Sequence, residues 1–318
     1  FSAEHGGSIT ARDFANYKAE WVTPLAQNYR GYTLHEIPPN GQGIAALIAL
    51  GILENFDMAS LKVDGVDSQH LQIEAMKLAF ADVYRYVAEP SAMDVTPAQM
   101  LDPSYLKSRA RLIDMKRAQD FGAGNPVKGG TIYLSTADEN GMMVSFIQSN
   151  YMGFGSGCVE PNFGISLQNR GHGFSLNAQG LNPANLVAPG KRPFHTIIPA
   201  FLSKDGQPVM SYGVMGANMQ PQGHMQTLVR MLDYQQNPQA ACDAPRWRYN
   251  AGLEINVEAS LNHDTAQGLQ ARGHQVGVIN DSYQDFGAGQ FIWRAGNPKV
   301  EGYVVASDAR RDGLAAGF

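Results

Sequence analysis

Few segments restrict the fold of this chain as tightly as the run from Thr131 to Ser149. Thr131-Ile132-Tyr133-Leu134-Ser135 opens an alternating strand that runs to Ala137, Asp138-Glu139-Asn140-Gly141 supplies a turn, and Met142 to Ser149 forms a second strand. Asn-Gly between two alternating runs is the strongest short-range hairpin signal, because the favoured turn needs positive φ at its centre. The first strand is entered from Gly129-Gly130, well inside the sequence. Cutting the Gly130 to Thr131 bond would give Thr131 a free α-amine beside its own hydroxyl, so that one residue supplies nucleophile and general base. With a reference pKa of about 7.7 to 8.0, a useful fraction of such an amine is neutral near pH 7. Gly-Gly before a strand is usually just a turn, so the motif alone does not decide between a turn and a cleavage site.

The composition is that of a globular protein: 318 residues, 44% hydrophobic and 17% charged. That is long enough for one large domain or two, and it excludes disorder and fibre. A net charge of -5 argues against nucleic acid, since no basic stripe exists to neutralise phosphates, and a small molecule is the expected partner. No apolar run reaches the roughly 18 residues of a membrane span; the longest, Gly43 to Leu53, reads as a buried helix. Cys158 and Cys242 set no disulfide framework and are expected to be free, buried thiols. The opening Phe1-Ser2-Ala3-Glu4 resembles neither a signal peptide nor a domain start, so a preceding segment is expected; the cysteine count leaves either side of a membrane open, with the cytoplasm as the expectation.

Thr10 and Asp13 predict a capping box at the start of a helix from about Ala11 that ends before Pro24. Pro38-Pro39-Asn40-Gly41-Gln42-Gly43 punctuates the chain before a helix over Gly43 to Phe56. Ser68 to Val87 carries Met76, Phe80, Val83 and Val87 at helical spacing, a core stripe. Asp114 to Gly130 lacks periodicity and reads as an exposed loop suited to cleavage. Further strands are predicted at Pro208 to Val214, Leu253 to Val257, Gln275 to Ile279, Gln290 to Arg294 and Gly302 to Ala306. Helices are predicted around Met225 to Leu232 and over Asp264 to Arg272. This order implies stacked sheets covered by helices rather than a parallel doubly wound sheet.

The whole chain resembles the γ-glutamyltranspeptidase family. The resemblance is carried by Gly6-Gly7-Ser8-Ile9-Thr10 with Asp13 and Tyr17, by Tyr29-Arg30-Gly31-Tyr32, Pro38-Pro39 and Leu53-Glu54-Asn55-Phe56-Asp57, and by Thr131 to Ser135. It continues through Phe154-Gly155-Ser156-Gly157, Lys191-Arg192-Pro193, Ala244-Pro245-Arg246 and Ala306 to Gly313. It implies an α+β fold, the four-layer αββα sandwich of N-terminal nucleophile hydrolases, with the N-terminal part of the large subunit absent. Residues 1–130 would be the C-terminal part of a large subunit and 131–318 a small catalytic subunit, both from one precursor and interlocked as one domain. In the family the part upstream carries an arginine that binds the substrate carboxylate.

By this resemblance Gly130 and Thr131 flank the processing site and Thr131 is the nucleophile. Ser149 matches a threonine that hydrogen bonds to it, and Gly216 and Ala217 match two glycines whose N–H groups form the oxyanion hole. Other positions depart from the family. Its acidic residue for the γ-glutamyl ammonium aligns with Gly173, the neighbouring glutamine with Arg170, a serine pair with His195-Thr196, and an asparagine with Tyr151 beside Asn150. An ammonium partner is lost and a planar cation suited to a carboxylate is gained. Gln168-Asn169-Arg170 and Arg192 to Pro199 resemble the short branch that includes oxamate amidohydrolase.

The expected activity is amide hydrolysis or acyl transfer on a small carboxylate-bearing substrate. A true γ-glutamyltransferase or glutathione hydrolase, a glutaryl or cephalosporin acylase, and an unprocessed inactive binding protein remain alternatives. Arg170 could instead form a structural salt bridge with Glu160 or Asp308. No metal or organic cofactor is implied, since the eight histidines lack ligand-type spacing. Neither nucleic acid nor membrane is an expected partner, and a homo-oligomer is compatible with the sequence.

Overall fold

The computed structural model describes residues 2–122 and 130–318. In chain order the strands are β1 (Leu25–Tyr29), β2 (Tyr32–Glu36), β3 (Gly130–Ala137), β4 (Met143–Tyr151), β5 (Val159–Glu160), β6 (Ile165–Ser166), β7 (Ala200–Lys204), β8 (Gln207–Met215), β9 (Trp247–Ala251), β10 (Glu254–Glu258), β11 (Gln275–Ile279), β12 (Ala288–Arg294) and β13 (Tyr303–Ser307). Antiparallel pairing joins six of them in the order β1-β2-β7-β8-β12-β13, so strands from both sides of Thr131 share one sheet. Two-residue turns with positive φ at both centres, Arg30-Gly31 and Asp205-Gly206, close β1–β2 and β7–β8, and their twist suits the strands they join.

The helices are α1 (Ala11–Asn16), α2 (Ile44–Leu53), α3 (Val66–Tyr86), α4 (Pro97–Met100), α5 (Pro103–Ala110), α6 (Met219–Leu228), α7 (Pro238–Asp243), α8 (His263–Ala271) and α9 (Ser282–Asp285). α2 is apolar at every position and buried all round, packed against α3, α5, α6 and β1. The predicted stripe Met76, Phe80, Val83 and Val87 lies in the core.

Successive residues of β8 show the layering, because adjacent strand side chains point to opposite faces. A Cβ built on Gly213 would meet the Tyr133 ring at 2.5 Å, whereas Val214 packs against Gly223 of α6. The β3–β4 hairpin therefore covers one face of the six-stranded sheet and helices cover the other, the stacked-sheet sandwich expected from the sequence. Hydroxyls of Tyr133 and Ser135 meet Ser211 between the two sheets, and Tyr133 OH also bonds Ser145. On the hairpin's outer face Ile132, Leu134, Val144 and Phe146 are exposed.

Several boundaries differ from expectation. The capping box of Thr10 and Asp13 forms, but α1 ends at Asn16 because none of its side chains is buried to continue it. β1, β2, β5, β6, β7 and β9 were not anticipated. The loop expected to be exposed from Asp114 buries Ala118 and is hydrogen bonded to the body through Gln119; its continuation over 123–129, with Gly129, lies outside the described residues. Both cysteines are free, but only Cys242 is buried; Cys158 sits in a turn-rich segment and is partly exposed. Among the described residues no helix is long and apolar enough to cross a membrane.

Candidate active site

Thr131 is the second residue of β3 and is 7% exposed, so the sheet interface already holds its side chain before any chemistry. Its hydroxyl donates to Ser149 Oγ at 3.2 Å. The pairing skips here: Gly130 faces Tyr151 but Ile132 faces Gln148, which places an extra residue of β4 opposite Thr131. A bulge of this kind re-aims side chains and ends regular pairing. Ser149 Oγ also accepts the Tyr151 amide at 2.9 Å, and Tyr151, buried, holds φ at 80°, a conformation costly for a side chain of this size.

Arg170 comes to the same place. The loop before it is tied to β4 by Asn169, whose amide donates to the Asn150 carbonyl at 3.1 Å and whose side chain bonds Met152 and Gly155. The guanidinium then lies over the Tyr151 ring, 5.4 Å from its centroid, and Nη2 reaches the Ser149 carbonyl at 3.4 Å. Arg170 is 8% exposed, and its buried Nη1 has no hydrogen-bond partner among the described residues. The alternative of a salt bridge is overturned. Asp308 is paired with Arg246 and Arg310, and Glu160 caps Asn162 and Phe163. Burial lowers the Arg170 pKa, with Tyr151 opposing, but a guanidinium stays charged. A buried cation without a counter-ion is costly, so the group is suited to an anionic ligand.

Gly173, His195 and Thr196 form a second group. A Cβ on Gly173 would fall 2.2 Å from the Phe194 carbonyl oxygen, so this backbone excludes an acidic side chain there. Asn185 fixes the approach by donating to the Gly173 carbonyl at 2.7 Å and accepting the Phe194 amide at 3.0 Å. His195 pairs with the 40–42 loop: its amide donates to the Asn40 carbonyl and its carbonyl accepts the Gln42 amide. Burial, reinforced by the Arg170 and Arg192 charges, pushes the His195 pKa down to about 3, so the ring is neutral, and its Nδ1 is buried without a partner among the described residues.

Gln42 links this group to the third. Its Nε2 donates to the carbonyls of Thr196 and Ala217, both at 2.9 Å. Gly216 has φ at 125° and Ala217 at 52°, so Ala217 occupies the left-handed region that glycine enters freely. The Gly216 carbonyl accepts the Met219 amide at the start of α6. In a trans peptide the next N–H points the opposite way, so the Ala217 N–H faces away from the helix.

Sequence reasoning missed Gln42, Asn40 and Asn185. The segment Pro38 to Gly43 read only as punctuation, and nothing in spacing shows that its side chains clasp residues some 150 positions away. A cavity of about 550 Å³ touches Thr131, Met215, Phe291 and residues 313–316, but Arg170, His195, Gly216 and Ala217 are not among its walls. Of these residues Arg170 lies on the Ser149 side of Thr131, at the Ser149 carbonyl. His70, Glu74 and His274, none of them a member of these groups, bring three possible ligand atoms within 4.8 Å of one another.

A profile of the family described as gamma-glutamyltranspeptidase matches residues 1–318. The chain belongs to the γ-glutamyltranspeptidase family. Within that family it is 36% identical over 320 residues to the glutathione hydrolase-like YwrD proenzyme of Bacillus subtilis, covering 99% of this chain and 59% of that protein. It is 35% identical to the oxamate amidohydrolase proenzyme of Klebsiella pneumoniae, covering 98% of this chain and 58% of that protein. A crystal structure of cephalosporin acylase from Bacillus halodurans superposes with a TM-score of 0.91 at 48% identity, over 99% of this chain and 56% of that one. The chain thus spans somewhat more than half the length of these γ-glutamyltranspeptidase relatives.

Proposed function

We propose that this chain forms the catalytic part of a self-processing amide hydrolase that acts on small substrates bearing a carboxylate but no α-ammonium group. Residues 1–130 and 131–318 would be the two subunits cut from one precursor. In maturation Thr131 Oγ attacks the Gly130 carbonyl carbon, the C–N bond breaks, and the Oγ proton passes to the departing nitrogen. Water then hydrolyses the ester, leaving the Gly130 carboxylate and a free Thr131 amine. In turnover that amine takes the Oγ proton as Oγ attacks the substrate amide, and returns it to the leaving amine. Ser149 orients Oγ. The N–H groups of Gly216 and Ala217 receive the oxyanion, a role typically worth about 2.7 to 4 kcal/mol per donor.

The observation that carries the substrate class is Arg170, buried beside Ser149 with Nη1 unpartnered among the described residues. A substrate carboxylate would supply the missing charge and acceptor, with His195 and Thr196 following Phe194, whose carbonyl packs on Gly173, where no acidic side chain fits. Asn150 and Tyr151 wall the same side. Oxamate and glutaryl-type acyl groups share this chemistry; the 48% identity to a cephalosporin acylase favours the longer of the two.

A matched pair of anilides tests the reading on the full-length gene product, one γ-glutamyl and one glutaryl, differing only in the α-amine. The glutaryl compound, or oxamate, should be turned over with the higher kcat/KM. Preference for the γ-glutamyl compound would reject it.

A further inference from the structure

α3 buries more charge than a core helix needs. Glu74, Lys77 and His274 have fully buried side chains, and His70 is buried beside them. The hydrogen bonds fix every proton. His70 Nε2 lies 2.9 Å from the Asp114 carbonyl oxygen and must donate to it, so Nδ1 is the acceptor for His274 Nε2 at 2.8 Å. His274 Nδ1 is then unprotonated and accepts from the Lys77 ammonium at 3.4 Å. The other two Lys77 donors go to Glu74 Oε1 at 2.8 Å and the Gln119 carbonyl at 3.1 Å, while Glu74 Oε2 accepts the Gln119 amide at 3.2 Å. Both imidazoles are neutral, as burial dictates. Protons and the ammonium occupy the lone pairs a metal ion would use, so the grouping reads as a closed network rather than a cation site.

What the network grips is main chain between 114 and 122. The Ala118 amide adds a bond to the Arg272 carbonyl at 2.7 Å, and Tyr249 OH donates to the Gly122 carbonyl at 3.4 Å. Only seven residues separate Gly122 from Gly130, where β3 begins.

We propose that the His70–His274–Lys77–Glu74 network is the upstream anchor for self-cleavage, a set of positioning residues that act on maturation and not on turnover. The inference rests on the proposed cleavage before Thr131. Holding the scissile carbonyl near Thr131 Oγ demands near-attack geometry, and a free upstream end would multiply the competing conformations.

The test follows fragment appearance after a pulse of cell-free synthesis of the full-length gene product. His70→Leu and Lys77→Met should slow cleavage by about tenfold or more, whereas His70→Gln, which keeps a donor to the Asp114 carbonyl, should stay within about threefold of wild type. Met76→Ala, a cavity in the same helix, should lower Tm yet cleave at the wild-type rate. The matured fraction of each variant should keep wild-type kcat and KM. Wild-type cleavage rates in His70→Leu and Lys77→Met, or slowing in Met76→Ala that matches its loss of stability, would overturn the anchor alone. An uncut wild type would overturn the anchor and the processing reading together.

Discussion

The Thr131 hydroxyl donates to Ser149 Oγ across 3.2 Å, and the same oxygen accepts the Tyr151 amide at 2.9 Å. Ser149 is therefore held by the bulged backbone of β4 and in turn holds the direction of the Thr131 O–H. Ser149→Ala should lower both the cleavage rate and kcat by about 10- to 100-fold with little change in KM, since an orienting bond matters most as the proton moves. Ser149→Thr should retain most activity. Steady-state kinetics on matured enzyme checks this, and an unchanged kcat in Ser149→Ala would remove Ser149 from the chemistry.

Arg170 separates binding from stability. Arg170→Met should raise KM for glutaryl or oxamate substrates by about 30-fold, the equivalent of roughly 2 kcal/mol for a charged hydrogen bond. Because no carboxylate in the described residues depends on it, Tm should hold or rise on substitution. A fall in Tm with unchanged KM would make Arg170 structural.

Gln42 and Ala217 define the third expectation. Ala217 sits at φ 52°, where an L residue is disfavoured by about 1 to 2 kcal/mol. Ala217→Gly should keep kcat and leave Tm equal or slightly higher, whereas Ala217→Val should lose both. Gln42→Leu frees the carbonyls of Thr196 and Ala217 and should cut kcat by about tenfold. Thermal melts beside kinetics distinguish the two effects.

His195 gives the protein an acid-sensitive stability. Its folded pKa, about 3, lies below the ordinary 6.5, so the native state favours the neutral ring. That contribution is fully present above pH 6.5 and is lost as pH falls toward 3, because the unfolded chain takes up the proton first. The slope for one proton is about 1.4 kcal/mol per pH unit. Urea unfolding at pH 7.5 and 5.0 should show wild type losing about 2 kcal/mol more than His195→Asn. Equal losses would mean that the ring is protonated in the native state.

The legible parts of this protein were those with a local physical cause. The Asn140-Gly141 hairpin, the Thr10 and Asp13 capping box and the Met76 to Val87 stripe follow from turn chemistry, caps and periodicity, and all three form. β7 was missed although Asp205-Gly206 carried the same kind of hairpin signal as Asn140-Gly141. β1 and β2 are short, and the pair joins the sheet only where β2 meets β7, far along the chain, so their own sequence says little. At the site, Thr131 and Ser149 were legible as a pair through the resemblance to the family, and the hairpin brings their hydroxyls together. Gln42, Asn40 and Asn185 were not, because their partners are carbonyls, which have no residue identity to read. Gly173 showed the loss of an acidic group, but only the Phe194 carbonyl, 2.2 Å from where a Cβ would sit, shows why one cannot return.

The denatured intact mass of the full-length gene product, wild type beside Thr131→Ala, bears most directly on the mechanism. Wild type should yield two fragments that meet at Gly130 and Thr131, the second beginning with a free threonine, and Thr131→Ala should give one uncut mass. A single mass in wild type, or the same two fragments in Thr131→Ala, would contradict a threonine that frees its own amine.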